Sequence, residues 1–218
     1  MTPKSFLLTD EVHRYLLDHT EPIDAVQRDL IDETAALGGI SSMQIAPEQG
    51  AFMTMLTRLM SVTSAIEIGT FTGYSALAIA RGLPPGGTLL CCDVSPEWTD
   101  IAKRYWDRAG VSDRIELRLG PALETLQSLP QDPAYDLAFV DADKTGYPAY
   151  VQELYPRLRT NGLVILDNVL RGGQVIPGHE TNDEDRSMQG LNHALAVDQR
   201  FDTVLLPLAD GLTFLRKR

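Results

Sequence analysis

The stretch SAIEIGTFTGYS, residues 64–75, decides the fold that this sequence predicts. Its first half is a short apolar run, typical of a buried strand in a parallel sheet. Gly69 and Gly73 then allow a sharp turn into a helix and the close approach of a ligand. The spacing is G-x-x-x-G rather than the G-x-G-x-x-G of dinucleotide-binding enzymes. It therefore indicates either a ligand without a pyrophosphate or a purely structural turn.

Apolar runs alternate with helical patterns from this turn to the C-terminus. The predicted strands are 65–68, 88–93, 114–119, 137–140, 163–166, 201–206 and 212–215, the predicted helices are 72–81, 97–109, 121–129, 147–158 and 184–199, and the polar residues 172–185 form a loop. This alternation favours a mostly parallel sheet with helices on both faces and right-handed crossovers. The turn at Asp210-Gly211 adds an antiparallel C-terminal edge strand. The prediction is an α/β, Rossmann-like, seven-stranded sheet.

The first 60 residues have helical rather than strand periodicity. The pair Gly38-Gly39 ends one predicted helix, residues 43–46 form an extended link, and Pro47 begins the next helix. A length of 218 residues with 44% hydrophobic content fits one globular domain that spans residues 1–218.

The charge and the cysteines restrict the class of partner and the compartment. A net charge of -11 disfavours nucleic acid and anionic membrane surfaces as partners. There is no apolar run of about 20 residues, and residues 1–6 do not predict a signal peptide. Cys91 and Cys92 are adjacent on a predicted strand, point to opposite faces, and are expected to be buried and reduced. We expect a cytoplasmic protein whose partner is a small molecule or a cation.

Carboxylates lie at or next to the carboxyl ends of four of the predicted strands, at Glu67, Asp93, Asp141 and Asp167. Parallel strands end at one edge of the sheet, so these groups would repel each other unless cations or hydroxyls lay between them. Asp93 lies 20 residues after Gly73, where a carboxylate can accept both hydrogen bonds of a ribose diol. That position fits both a nicotinamide dinucleotide and S-adenosylmethionine (SAM).

The ends of the fourth and fifth strands supply a set of hard oxygen donors. Asp141, Asp167 and Asn168 fit an octahedral cation such as Mg²⁺ with positions left open. Helix capping by these residues is the alternative. The histidines lack the close spacing of zinc ligands. Lys144, three residues after Asp141, is either a general base beside the cation or an exposed lysine at a helix start.

Taken in order, these pieces resemble the cation-dependent O-methyltransferases of the caffeoyl-CoA and catechol type. The resemblance covers most of the chain from about Ile40 onward. The matching segments are 43–50, 67–75, Asp93, 141–147, 167–170, 191–192 and 206–218, with Asp210-Gly211-Leu212-Thr213 inside the last. No single segment is specific, but the ordered combination is.

The resemblance implies a role for each matched position. In the SAM pocket, Met43 and Ile45 would line the wall, Glu67, Gly69 and Thr70 would hold the methionine half, and Ser75 would meet the methionine carboxylate. Asp93 would bind the ribose, and Ala122 would contact the adenine through its backbone. Asp141, Asp167 and Asn168 would hold Mg²⁺, Mn²⁺ or Ca²⁺, with Asp141 also near the cofactor, and Lys144 would be the base. The acceptor would be a small aromatic molecule with vicinal hydroxyls. A homodimer is also implied, with residues 1–60 shaping the acceptor site and the dimer contacts.

One departure from the family bears on the acceptor. The plant enzymes carry an aromatic residue and an asparagine where this chain has Arg171 and Gly172, so a small catechol is expected rather than caffeoyl-CoA. We interpret Arg171 as meeting solvent, with an acceptor carboxylate as the alternative. The alternatives for function are SAM-dependent methylation of another small-molecule hydroxyl, an NAD-dependent oxidoreductase, a nucleic-acid or protein N-methyltransferase, and a SAM-binding regulatory module without activity.

Overall fold

The computed structural model describes residues 8–218, and the prediction about a signal peptide in residues 1–6 lies outside them. These residues form a seven-stranded sheet in the order β3-β2-β1-β4-β5-β7-β6. The strands are β1 (Ser64–Ile68), β2 (Thr88–Asp93), β3 (Ile115–Leu119), β4 (Tyr135–Val140), β5 (Leu158–Leu166), β6 (Phe201–Leu206) and β7 (Leu212–Lys217). β1 to β5 are parallel, and β7 pairs antiparallel with both β5 and β6. The predicted fold is confirmed, with β6 rather than the last strand at the sheet's outer edge.

In the described part of the chain, eight α-helices pack around the sheet, and the first three of them precede it. The helices are α1 (Asp10–Asp18), α2 (Ala25–Ala35), α3 (Pro47–Leu59), α4 (Tyr74–Gly82), α5 (Pro96–Arg108), α6 (Ala122–Ser128), α7 (Tyr147–Arg157) and α8 (Asp183–Ala196). Pro47 begins α3 as predicted, because proline has no N–H to lose in the first turn. Within residues 8–218, none of the helices has the length and apolar character that a bilayer crossing requires.

Alternate side chains of the strands pack into two hydrophobic cores, one on each face of the sheet. Ala65, Cys91 and Phe139 pack on one face with residues of α2 to α5. Ile66 and Cys92 pack on the other face with residues of α6 to α8. The two cysteines are therefore free, buried and on opposite faces, as predicted from the period-two geometry of a strand.

Several element boundaries differ from the sequence predictions, each for a local reason. The predicted extended link at 43–46 is shorter, because Met43 ends a 3-10 helix over Gly38–Met43. α4 begins two residues late because Gly73 has the left-handed φ of 83°, which a helix excludes. α8 ends at Ala196 instead of 199, where the carboxylate of Asp198 accepts a hydrogen bond from the N–H of Arg200 and forms a turn. β5 extends back to residue 158 across an irregularity in its pairing with β4.

Candidate active site

The carboxyl ends of β1, β2, β4 and β5 open into a cavity of about 910 Å³. The N–H of Asp141 donates to the carbonyl of Ile68 at 2.8 Å, and the N–H of Asp167 donates to that of Val140 at 3.0 Å. This register places the residues that follow β4 and β5 side by side. The predicted site residues on the cavity wall are Met43, Ile45, Gly69, Thr70, Ser75, Asp93, Ala122, Asp141, Lys144, Asp167 and Asn168.

The glycine turn after β1 brings the backbone against the end of β4. Gly69 has a φ of +87°, and a Cβ there would lie 2.1 Å from the carbonyl oxygen of Asp141. Gly73 has a φ of +83°, and its Cβ would lie 2.5 Å from the Cβ of Ala102. Both positions therefore require glycine for conformation and for space. The turn leaves the backbone of Gly69 and Thr70 on the cavity wall.

Glu67 is the one predicted site residue that lies behind the wall rather than on it. Its side chain has no exposed surface, and its Oε1 has no hydrogen-bond partner within the described residues. The thiol of Cys91 donates to Oε2 at 3.5 Å. Burial raises the pKa of Glu67 to about 8, although the hydroxyl of Ser75 opposes this shift. A buried carboxyl group with a free oxygen is thus available next to the turn.

Asp93 organises the loop that follows β2. Its Oδ2 accepts hydrogen bonds from the N–H groups of Thr70 and Phe71, both at 2.8 Å. Its Oδ1 accepts one from the N–H of Ser95, also at 2.8 Å. These bonds use three of the roughly four lone-pair positions of a carboxylate. Asp93 therefore fixes the glycine turn to the β2 loop and keeps about one position for a ligand hydroxyl.

Asp141, Asp167 and Asn168 meet at the ends of β4 and β5 on the same cavity wall. Burial, and then the nearby charge of Asp141, raise the pKa of Asp167 to about 7. Two carboxylates and an amide oxygen are the donor types that a hard divalent cation prefers, and a cation would relieve this repulsion. This set of donors needs the side-chain amide of Asn168 as its third ligand, because residues 8–218 hold no cluster of three or more His, Cys, Asp or Glu that could bind a metal.

Lys144 is buried beside the proposed cation ligands and is not the exposed lysine of the alternative interpretation. Only 7% of Lys144 is exposed. Its Nζ donates to Oδ1 of Asp141 at 2.7 Å and to the hydroxyl of Tyr147 at 2.8 Å. The Tyr147 hydroxyl lies 3.0 Å from the carbonyl oxygen of Val140 and 3.1 Å from that of Asp167, and these two acceptors share its single proton. The amine is thus held at a defined position on the cavity wall.

The structure adds functional candidates that the sequence left without a role. Gln49, in the first turn of α3, donates from Nε2 to Oδ2 of Asp167 at 2.6 Å, and both side chains are buried. Phe71 and Trp98 form an edge-to-face aromatic pair, 5.1 Å between ring centres, on the cavity wall. Gln49 belongs to the matched segment 43–50, so its position was visible but its partner, 118 residues away, was not.

Arg171 corrects an interpretation made from the sequence. Its guanidinium is bound by two carboxylates of α8. It is therefore neither a purely solvent-exposed side chain nor free to bind an acceptor carboxylate. Its Nη2 lies 2.8 Å from Oε2 of Glu184, and its Nε lies 3.1 Å from Oδ1 of Asp185. The sequence placed Arg171 and Glu184 near opposite ends of one polar loop and gave no sign of this pairing.

Comparison with known proteins agrees with this geometry. Residues 19–218 match a family model described as O-methyltransferase. The chain belongs to the O-methyltransferase family. The family predicted from the ordered motifs is confirmed, and the match begins about 20 residues before Ile40. This match supports methyl transfer and gives no support to the nicotinamide-dependent alternative.

Relatives of this O-methyltransferase cover nearly the whole chain. Caffeoyl-CoA O-methyltransferase 2 of Zea mays is 34% identical, over 98% of this chain and 85% of its own length. The crystal structure of the Bacillus cereus O-methyltransferase in complex with S-adenosylhomocysteine (SAH) is 29% identical in sequence and superposes with a TM-score of 0.87. The alignment covers 95% of this chain and 97% of the Bacillus cereus chain. The O-methyltransferase of tomaymycin synthesis from Streptomyces achromogenes, in complex with SAM, is 25% identical with a TM-score of 0.86 and 96% coverage, against 95% of this chain.

Proposed function

We propose that this O-methyltransferase transfers the methyl group of SAM to one hydroxyl of a catechol-like small molecule whose two hydroxyls are held by a divalent cation. The observation that carries the proposal is the grouping of Asp141, Asp167 and Asn168 beside the buried amine of Lys144, in one cavity. The family match and the SAM and SAH complexes of two relatives support the methyl donor.

The donor half of the cavity would lie over the glycine turn. The backbone of Gly69 and Thr70 would contact the methionine part of SAM, with the free oxygen of Glu67 behind it as an acceptor for the ammonium group. Asp93 would accept a ribose hydroxyl at its remaining lone-pair position. The other lining residues proposed to contact SAM are Met43, Ile45, Ser75, Asp141 and, through its backbone, Ala122.

The acceptor half would lie at the ends of β4 and β5. Asp141, Asp167 and Asn168 would hold Mg²⁺, with Mn²⁺ and Ca²⁺ as the other cations that such oxygen donors accept. When bound, a divalent cation supplies positive charge that lowers the pKa of a chelated phenol. Gln49 keeps one oxygen of Asp167 hydrogen-bonded and so holds the orientation of this carboxylate.

Lys144 would act as the general base. Its Nζ would take the proton from the reacting hydroxyl, and Asp141 and Tyr147 hold that nitrogen in place. The phenolate oxygen then bonds to the methyl carbon as the bond between carbon and sulfur breaks, giving a methyl ether and S-adenosylhomocysteine. Most of the rate gain comes from the alignment of oxygen, carbon and sulfur by the cavity walls.

The deciding experiment is methyl transfer from labelled SAM to a panel of catechols, with Mg²⁺ and with EDTA. We expect transfer with Mg²⁺, its loss with EDTA, and its loss in Asp167→Asn. Asp183→Asn is the matched control, because Asp183 is exposed and pairs with Arg186 outside the cavity. Transfer that survives EDTA would overturn the cation role. Transfer only to monophenols or aliphatic alcohols would favour methylation of another hydroxyl, and SAM binding without any transfer would favour the regulatory module.

We also propose that the chain is a single domain over residues 1–218 that works in the cytoplasm as a homodimer. The free, buried Cys91 and Cys92 support a reducing compartment. Ser42, Gln44 and Ala46 also line the cavity, which supports a part for the N-terminal segment in the acceptor site. Light scattering tests the dimer: a mass near the 24.0 kDa of one chain would contradict it.

A further inference from the structure

Arg171 and Glu184 form an ion pair on the wall of the same cavity. Arg171 lies in the loop after β5 and has a φ of +51°. Its guanidinium is fixed from two sides, by Glu184 at 2.8 Å and by Asp185 at 3.1 Å. Asp185 is fully buried and also accepts hydrogen bonds from the N–H and the hydroxyl of Thr181. Asp185 therefore anchors the arginine, and Glu184 compensates the end that faces the cavity.

The cavity has no uncompensated cation among its described lining residues. Its two basic residues are Lys144 and Arg171, and each is paired with a carboxylate at hydrogen-bond distance. Two other carboxylates, at Asp143 and Asp210, add negative charge to the cavity wall. Asp210 also fixes the loop after Arg171, because its Oδ1 accepts from the N–H of Gly172 at 2.7 Å.

We propose that Glu184 is a specificity-determining residue that selects against acceptors with a carboxylate or phosphate substituent. An anionic substituent would have to displace Glu184 from Arg171 and lose its own hydration near Asp210. A neutral or ammonium substituent meets no such penalty. The acceptor is therefore a free catechol with a neutral or cationic side chain, not a coenzyme A thioester. This inference rests on the proposed function, because it concerns the acceptor of the same site.

The test compares three catechols whose short 4-substituents share a two-carbon chain and end in a neutral, a cationic or an anionic group: 4-ethylcatechol, 3,4-dihydroxyphenethylamine and 3-(3,4-dihydroxyphenyl)propanoate. The wild type should methylate the first two with a kcat/KM about ten-fold or more above the third. Glu184→Gln should raise the kcat/KM ratio of carboxylate to amine by about ten-fold, because one hydrogen-bonded charge is worth about that factor. Asp183→Asn removes the same charge from the neighbouring, exposed position and should leave the ratio unchanged.

A second variant shows whether the gain comes from Arg171. The double change Arg171→Met with Glu184→Gln removes the guanidinium, so the gain with the carboxylate acceptor should disappear. A thermal unfolding midpoint for each variant confirms that the chain is folded. Turnover of 4-ethylcatechol with a wild-type preference for the carboxylate, or an equal ratio in Glu184→Gln and Asp183→Asn, overturns this inference alone. No methylation of any of the three acceptors overturns the proposed function, and this inference with it.

Discussion

The side-chain amide of Gln49 donates a 2.6 Å hydrogen bond to Oδ2 of Asp167, and both groups are buried. Oδ1 of the same carboxylate accepts the N–H of Asn168 at 2.6 Å. The orientation of Asp167, a proposed cation ligand just after β5, is therefore set partly by α3, which lies before the sheet in the chain. Gln49 is a positioning residue: it touches the ligand of the cation and not the reacting atoms.

Replacement of Gln49 by Leu should weaken divalent cation binding by about 10–100-fold, because the loss of such a partner leaves the ligand free to rotate. The measurement is titration of the full chain with Mn²⁺ by electron paramagnetic resonance, without acceptor or SAM. Gln152→Leu is the control, since Gln152 is exposed on α7 and bonds only to Arg200 among its described hydrogen-bond partners. An unchanged Kd for Mn²⁺ in folded Gln49→Leu would exclude the positioning role.

Lys144→Met should lower kcat by about 10²–10⁴-fold while the Kd for SAM stays the same, because a general base contributes to the chemical step. Kinetics with saturating SAM and calorimetric SAM titration separate the two effects. Lys144→Arg should not rescue the rate, since a guanidinium does not give up its proton near neutral pH. Lys103→Met, at an exposed pair with Asp100, is the control. Full activity in Lys144→Arg would mean that Lys144 provides only positive charge.

The parts that the sequence predicted follow from local rules. The glycine turn after β1 was recognised because its conformations need glycine, and the structure shows φ values of +87° and +83° there. The ends of parallel strands meet at one edge, so carboxylates at the strand ends predicted a shared site. Asp93, Asp141 and Asp167 line the cavity for that reason.

The parts that were missed depend on contacts distant in sequence or on changes of local conformation. Gln49 looked like an ordinary first-turn residue of a helix, and only the packing of α3 shows its partner. The ion pairs of Arg171 depend on where α8 packs, and the periodicity of the sequence does not predict that position. The complete burial of Glu67 behind the cavity wall also depends on the packing around β1, so the sequence did not predict it. Sequence rules thus predicted which elements meet but not which side chains neutralise each other.

Gly69→Ala should lower the free energy of unfolding by at least about 3 kcal/mol, because left-handed strain adds to a collision with a backbone carbonyl. Its Cβ would lie 2.1 Å from the oxygen of Asp141. Gly86→Ala is the matched control, since Gly86 has a φ of +79° but nothing within 4 Å of the added Cβ. That variant should lose only about 1 kcal/mol. Urea unfolding measures both, and equal losses would show that the close approach at Gly69 costs nothing.

Glu67 should make the stability of the ligand-free protein fall as the pH rises from about 4.5 to about 8. Burial raises its pKa to about 8 in the folded chain, against the ordinary value of 4.5 that the unfolded chain retains. Between these values the unfolded chain has released the proton and the folded chain still holds it, so a higher pH favours unfolding. Below 4.5 and above 8 this contribution is constant.

The variant Glu67→Gln removes this titration and keeps the size of the side chain. The folding equilibrium constant of the wild type, relative to that of the variant, should fall by up to about ten-fold per pH unit in this window. Urea unfolding of both proteins at pH 5, 6, 7 and 8 gives the difference directly, and groups shared by both chains cancel. A difference that stays constant from pH 5 to pH 8 would mean that Glu67 is ionised throughout, so that some cationic or donor group not evident in the ligand-free site stabilises its charge.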